Sequence, residues 1–222
     1  MRTKLLILSI SILLGLYACK VDNYDAPDVL LEGNLMYNGK PVATKGEQMR
    51  VEIYETGWKL VKEIPSYVNQ EGYFSQTLFK GNYKLYLKSN RGSFDNYTTA
   101  DSVKLTINSS QRVDMKVIPF FFVNEPTYTV SGNTLTAQLK VDKVNSSKTI
   151  GSIRLVVGKT MLLDEQYNAK SFTFVGTPDL NNLSLSLDIT ELKSQGYCYA
   201  RVVVGTQGTT TFNYSFSKKV TF

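Results

Sequence analysis

Along most of this chain hydrophobic side chains recur at every second position, and few folds accept that rhythm. Tyr83, Leu85 and Leu87 alternate with polar residues, as do Val103, Leu105 and Ile107, and then Val113, Met115 and Val117. Leu135, Ala137, Leu139 and Val141 do the same further on, followed by Leu183, Leu185, Leu187 and Ile189. A period of two places alternate residues on opposite faces of an extended strand, whereas a helix needs a period of 3.6. Between the runs stand turn formers: Asn38-Gly39-Lys40-Pro41, Glu55-Thr56-Gly57, Gln70-Glu71-Gly72 and Lys80-Gly81-Asn82. Half-buried antiparallel strands joined by tight turns are therefore expected, with Leu30 to Tyr37, Met49 to Tyr54 and Tyr73 to Phe79 among them.

Ile118-Pro119-Phe120-Phe121-Phe122-Val123-Asn124-Glu125-Pro126 interrupts the rhythm. Two prolines bracket an apolar cluster, which reads as a boundary with its phenylalanines packed where two domains meet. This divides the chain into residues 29–119 and 120–222. Each part is long enough for its own core, and seven or so short strands in about 100 residues suggest a β-sandwich. In the second part Ile150 to Val157 and Val202-Val203-Val204 read as buried strands. Thr190 to Ser194 reads as a helical turn closed by Gly196. The last segment alternates most cleanly, with Phe212, Tyr214, Phe216, Lys218, Val220 and Phe222 on one face. The expected class is all-β, two sandwich domains in sequence.

The first eighteen residues read as an address. Arg2 and Lys4 precede the apolar run Leu5 to Leu16, which is shorter than the roughly 20 residues that a membrane-spanning helix needs. Leu16-Tyr17-Ala18-Cys19 resembles a bacterial lipobox, in which a small residue precedes the cut and the cysteine thiol takes a diacylglycerol. Residues 1–18 are thus expected to be a lipoprotein signal peptide, Cys19 the lipid-bearing residue, and residues 19–28 a polar tether. With Cys19 acylated, only Cys198 remains and no internal disulfide can form. Cys198 lies among strand-forming residues, where a thiol behaves as a small hydrophobe.

Histidine is absent, so the usual catalytic triads and zinc sites lose their commonest member. Carboxylates such as Glu52, Glu63, Asp142 and Asp188 fall in turn-like or alternating positions that read as solvated charge. No glycine-rich loop introduces a helix, and no Asp-x-Asp-x-Asp-Gly loop occurs for calcium. An enzyme is not expected, nor a cofactor or metal. The 25 Lys and Arg are dispersed among 19 Asp and Glu, with no basic cluster to suggest nucleic acid. Binding is the more natural expectation. Fourteen tyrosines and one tryptophan supply flat rings that stack on sugars, with polar neighbours for the hydroxyls. Trp58, next to the Thr56-Gly57 turn, is one candidate. Arg91, Phe94, Asp95 and Tyr97, on a glycine-containing loop, form another.

Several short motifs carry a resemblance. Leu31-Glu32-Gly33-Asn34-Leu35, Asn38-Gly39-Lys40-Pro41-Val42 and Val51-Glu52-Ile53-Tyr54 resemble the opening of a transthyretin-like carboxypeptidase-regulatory module. Asn69-Gln70-Glu71-Gly72-Tyr73-Phe74 and Phe79-Lys80-Gly81-Asn82-Tyr83 continue it. With Asn23-Tyr24-Asp25-Ala26-Pro27, Arg91-Gly92-Ser93-Phe94 and Phe212-Asn213-Tyr214-Ser215, the whole resembles a two-domain Bacteroidetes lipoprotein family of Sus-like polysaccharide-utilisation systems. That resemblance implies a transthyretin-like first domain, an immunoglobulin-like second domain and exposure on the outer-membrane surface. It also implies an accessory glycan-binding or scaffold role beside SusC-like and SusD-like proteins. The competing class is a structural or adhesive envelope protein, a spacer or fimbria-like subunit, with no glycan ligand. Finally, Asp101-Ser102-Val103 resembles the sequence that Bacteroidetes O-glycosylate on exported proteins, which makes Ser102 a candidate acceptor.

Overall fold

A computed structural model describes residues 25–88, 92–95 and 102–222 of the 222-residue chain. The proposed signal segment, Cys19, Arg91, Tyr97 and Asp101 lie outside the described residues. The rest is almost entirely β, arranged as two β-sandwich domains.

In the first domain, Val29–Tyr37 is the hub of one sheet. It pairs antiparallel with Tyr73–Leu78 and with the short Lys40–Pro41 strand, and parallel with Gln111–Arg112 and Met115–Lys116. The second sheet has the order Glu63–Tyr67, Arg50–Glu55, Gly81–Leu87, Val103–Ile107. The alternating residues Leu31, Leu35, Val51, Ile53, Leu85 and Ile107 are buried between the two. Each such aliphatic side chain contributes about 1.5–3 kcal/mol relative to an exposed one. Two motif glycines have a steric reason. A Cβ on Gly33 would lie 2.0 Å from the Val113 carbonyl oxygen, and one on Gly72 2.1 Å from that of Val42. Gly72 also has a φ of +75°, which disfavours any L side chain.

The register fixes which loops share an end. Val29 lies opposite Leu78, Gly81 opposite Ile107, and Tyr54 opposite Glu63. The 56–62 loop, the 79–80 turn, the 108–110 turn and the point where the chain enters at residues 25–28 therefore gather at one end of the domain. The 42–49 loop, the 68–72 turn and residues 92–95 gather at the other.

In the second domain, Thr127–Ser131, Thr134–Leu139 and Leu183–Asp188 form one sheet. Lys170–Thr173, Ile150–Gly158 and Tyr197–Thr206 form most of the other. This second sheet is covered on both faces. Cys198, Ala200, Val202 and Val204 point into the sandwich, whereas Val203 and Val156 point out of it, onto a small cluster shared with Ala43 of the first domain. Burial on both faces explains the unbroken Val202-Val203-Val204 run. Cys198 is fully buried, and that burial pushes its thiol up to about 11. The expected helical turn is a 3-10 helix, Thr190–Gln195, ended by Gly196 at φ 75°.

Two expectations are corrected. The last segment is not one strand. Phe212–Tyr214 and Lys218–Thr221 both pair with Tyr197–Thr206, but Arg201 and Val202 stand opposite three residues, Ser215, Phe216 and Ser217. The extra residue is a β-bulge, and a one-residue shift reverses the faces of a strand. Phe212, Tyr214 and Phe216 consequently pack toward the first domain, while Val220 and Phe222 pack on the second domain's core. Glu52, read as solvated, is buried because Arg50 (2.7 Å), Lys88 (3.0 Å) and the Tyr54 hydroxyl (3.1 Å) close over it. Burial alone would raise its carboxyl, but those three donors outweigh burial and hold it below its ordinary value.

Candidate functional site at the domain junction

The bulge creates an acceptor that a regular ladder would have used up. The Val202 amide donates to the Ser215 hydroxyl (2.9 Å) instead of a carbonyl, which leaves the Ser215 carbonyl free. Arg201, on the face turned toward the first domain, takes it. Its Nε donates to Ser215 O (2.8 Å), Nη1 to Leu163 O (2.8 Å) and Nη2 to Thr44 O (2.5 Å). The guanidinium is 0% exposed and lies 4.4 Å from the centroid of the Tyr214 ring. A planar fork of five donors suits three carbonyls and an aromatic face, which an ammonium cannot match. Burial lowers its pKa to about 10, so it stays charged at neutral pH.

Around this centre the domains exchange polar contacts. Lys45 reaches Glu165 (2.6 Å), which also accepts from the Tyr214 hydroxyl (2.7 Å). Burial would raise the Glu165 carboxyl, but these two donors win and keep it low. The same burial and hydrogen bond push the Tyr214 hydroxyl well above its ordinary value. Asp164 accepts from the Gln166 and Tyr167 amides at 2.7 Å, which shapes the loop that presents Leu163. Asn213 accepts from the Phe121 amide (3.2 Å) and donates to Ser93 O (3.1 Å).

Beside this lock lies an open hollow of ≈ 350 Å³. Its walls include Phe94 and Gly92 from the first domain, Phe120 and Lys148, and Thr209, Thr210 and Thr211 from the turn after Tyr197–Thr206. Lys148 Nζ sits 4.6 Å over the Phe120 ring. Of the residues expected to bind sugars, Phe94 and Asp95 are here, but not as a free aromatic platform. Phe94 is buried in the first core and bridges to Pro119, so the expectation of a stacking face on it is corrected. Asp95 accepts from Asn145 Nδ2 (2.6 Å) and thus also ties the two domains. Trp58 stands at the opposite end, 65% exposed. Trp58 and the pair Phe94 and Asp95 therefore do not share one site. Ser102 is half-buried, just before Val103–Ile107. Among the described residues no group of acids and cysteine is arranged to hold a metal ion. Arg201 went unnoticed in the sequence, although a charge inside an apolar strand run was the available signal.

Residues 29–118 match the family described as "Protein of unknown function (DUF3823) N-terminal domain", and residues 121–219 match its partner, "Domain of unknown function (DUF3823_C)". The chain belongs to the DUF3823 family. It superposes on a DUF3823 protein from Bacteroides ovatus with a TM-score of 0.82 at 27% identity, covering 87% of this chain and 99% of that one. A DUF3823 protein from Parabacteroides merdae gives 0.79 at 27% identity, covering 88% and 100%. A Bacteroides uniformis structure, provisionally assigned as a carbohydrate binding protein, shares the fold with a TM-score of 0.66 at 17% identity, covering 89% and 100%. No curated protein matches this DUF3823 chain.

Proposed function

We propose that this chain is a cell-envelope lipoprotein, acylated at Cys19, that serves as an accessory glycan-binding component of a Sus-like polysaccharide uptake system. It has no catalytic role in this reading and works beside SusC-like and SusD-like partners at the outer-membrane surface. The observation that carries the binding role is the junction hollow. At ≈ 350 Å³ it falls at the small end of the roughly 300–1,000 Å³ range of ligand sites. Threonine hydroxyls and a lysine ammonium are groups that hydrogen-bond sugar hydroxyls. The provisional carbohydrate-binding assignment of the Bacteroides uniformis protein lends support by fold alone.

Affinity electrophoresis through a panel of polysaccharide gels tests this reading. Retention on at least one glycan is expected, weakened about tenfold by Lys148→Ala or Thr210→Ala, a loss of about 1.4 kcal/mol. Silence across a broad panel by a folded protein transfers the weight to a scaffold or spacer. That second reading has its own support in the Arg201 lock, which ties the two domains together. Strand exchange of the fimbrial kind fits less well. The terminal edge strand carries a bulge and exposed Lys218 and Lys219, features that keep an edge from pairing. Radiolabelled palmitate should enter the wild-type chain and not Cys19→Ser.

A further inference from the structure

The outer end of the first domain carries side chains that the fold does not use. In the 56–62 loop Trp58, Leu60 and Val61 are 65%, 86% and 52% exposed, and Phe79 on the adjoining turn is 47% exposed. None of these four belongs to a hydrophobic cluster of either domain. Lys59 and Lys62 interleave with them, and Lys80 follows Phe79. The loop is held at its base, where the Thr56 amide donates to Asn82 O (2.7 Å). Beside it runs a shallow groove of ≈ 310 Å³ lined by Thr56, Asn82, Lys84, Lys104 and Thr106. Lys84 and Lys104 are direct cross-strand partners, a like-charge pairing that costs stability unless an anion sits between them. Among the described residues, none of these five lysines lies within 4 Å of a carboxylate oxygen. Acids are present too: Glu55 and Glu63 flank the loop, and Asp25 and Asp28 lie on the incoming chain.

The position of this end gives the exposed residues a partner. The chain enters the sandwich here, and nine residues lie between Cys19 and Val29. Even fully extended, that stretch spans at most about 35 Å. A lipid on Cys19 therefore holds this end within that distance of the bilayer. Tryptophan with aliphatic neighbours, interleaved with lysines, is the composition that settles at a lipid–water boundary.

We infer that the outer end of the first domain docks on an anionic lipid surface, with Trp58, Leu60 and Val61 entering the headgroup layer and the lysines meeting lipid phosphates. The orientation rests on the anchored reading above, but the contact itself does not require the acyl chain. The diacylglycerol holds the chain to the bilayer, and this contact sets which face of the domain meets it.

Trp58 is the only tryptophan, so its emission reports on this loop alone. The full chain and its Cys19→Ser form are each added to vesicles of phosphatidylethanolamine and phosphatidylglycerol whose acyl chains carry bromine. In both proteins the emission is expected to shift to the blue and to be quenched by bromine. In the Cys19→Ser background, Lys59→Gln with Lys62→Gln weakens partitioning about 30-fold, on about tenfold per 1.4 kcal/mol and roughly 1 kcal/mol per lysine at such a surface. Flotation of the full chain with vesicles while Trp58 stays unquenched and open to acrylamide overturns the inference and leaves the anchor standing. A chain that carries no acyl group by mass, yet is quenched, sinks the anchor and supports the contact. Emission already blue without vesicles means that protein covers Trp58, and overturns it as well.

Discussion

The two ends of the first domain are built from the same kind of residue to opposite effect. At the junction end, a fully buried arginine meets three carbonyls and a ring, and Lys45, Glu165 and Tyr214 complete one another. At the outer end, large apolar side chains stand in solvent among lysines that have no acidic partner among the described residues. The junction covers Ala43, Leu163, Val203 and Tyr214 and leaves Leu162 and Tyr167, on the loop of Leu163, in solvent. The outer end covers none of its four large apolar side chains in either core, and what such a set does is sought outside the chain.

This contrast breaks first at Arg201. Arg201→Ala leaves the buried Ser215 and Thr44 carbonyls without a side-chain donor and Leu163 O with only Gln70 Nε2 (3.3 Å), and a loss of about 3–5 kcal/mol is expected in urea unfolding followed by circular dichroism. Arg201→Lys should recover only part of that, because one ammonium cannot face all three acceptors. Gly33→Ala comes next, at about 2–3 kcal/mol, since its methyl meets the Val113 carbonyl and a backbone must move.

Glu165→Gln is milder, about 1 kcal/mol at neutral pH. Its signature is a pH dependence. The folded carboxyl sits below its ordinary value of 4.5, so the stability it adds is whole above that value and fades as pH falls through the folded one. The variant should flatten that acid limb, and an unchanged slope would remove Glu165 from the junction's energetics. Trp58→Ala is the smallest, within about 0.5 kcal/mol, because the ring is mostly exposed and packs in neither core. A larger loss would mean that the fold does use this ring.

Much of the architecture could be read from local pattern. Alternation located most strands, and glycines marked the turns, because both signals lie within a few residues of what they specify. The junction escaped that reading for a physical reason. Arg201 finds Thr44 157 positions earlier in the chain, and nothing near either residue announces the other. The terminal segment misled because its alternation is perfect, while its register is set by Tyr197–Thr206 and not by its own sequence. Glu52 looked solvated since alternation assigns a face but not what covers it. Phe94 and Trp58 looked equivalent as aromatic residues near glycine, yet topology sends them to opposite ends.

Phe121 and Phe122 are consecutive, and one ring lies in the second core while the other lies in the first. Between such neighbours there is no slack to act as a pivot. Bending one sandwich against the other means drawing a ring from its socket, so the pair behaves mechanically as a stiff rod and a pull on the far sandwich arrives at the near one undamped.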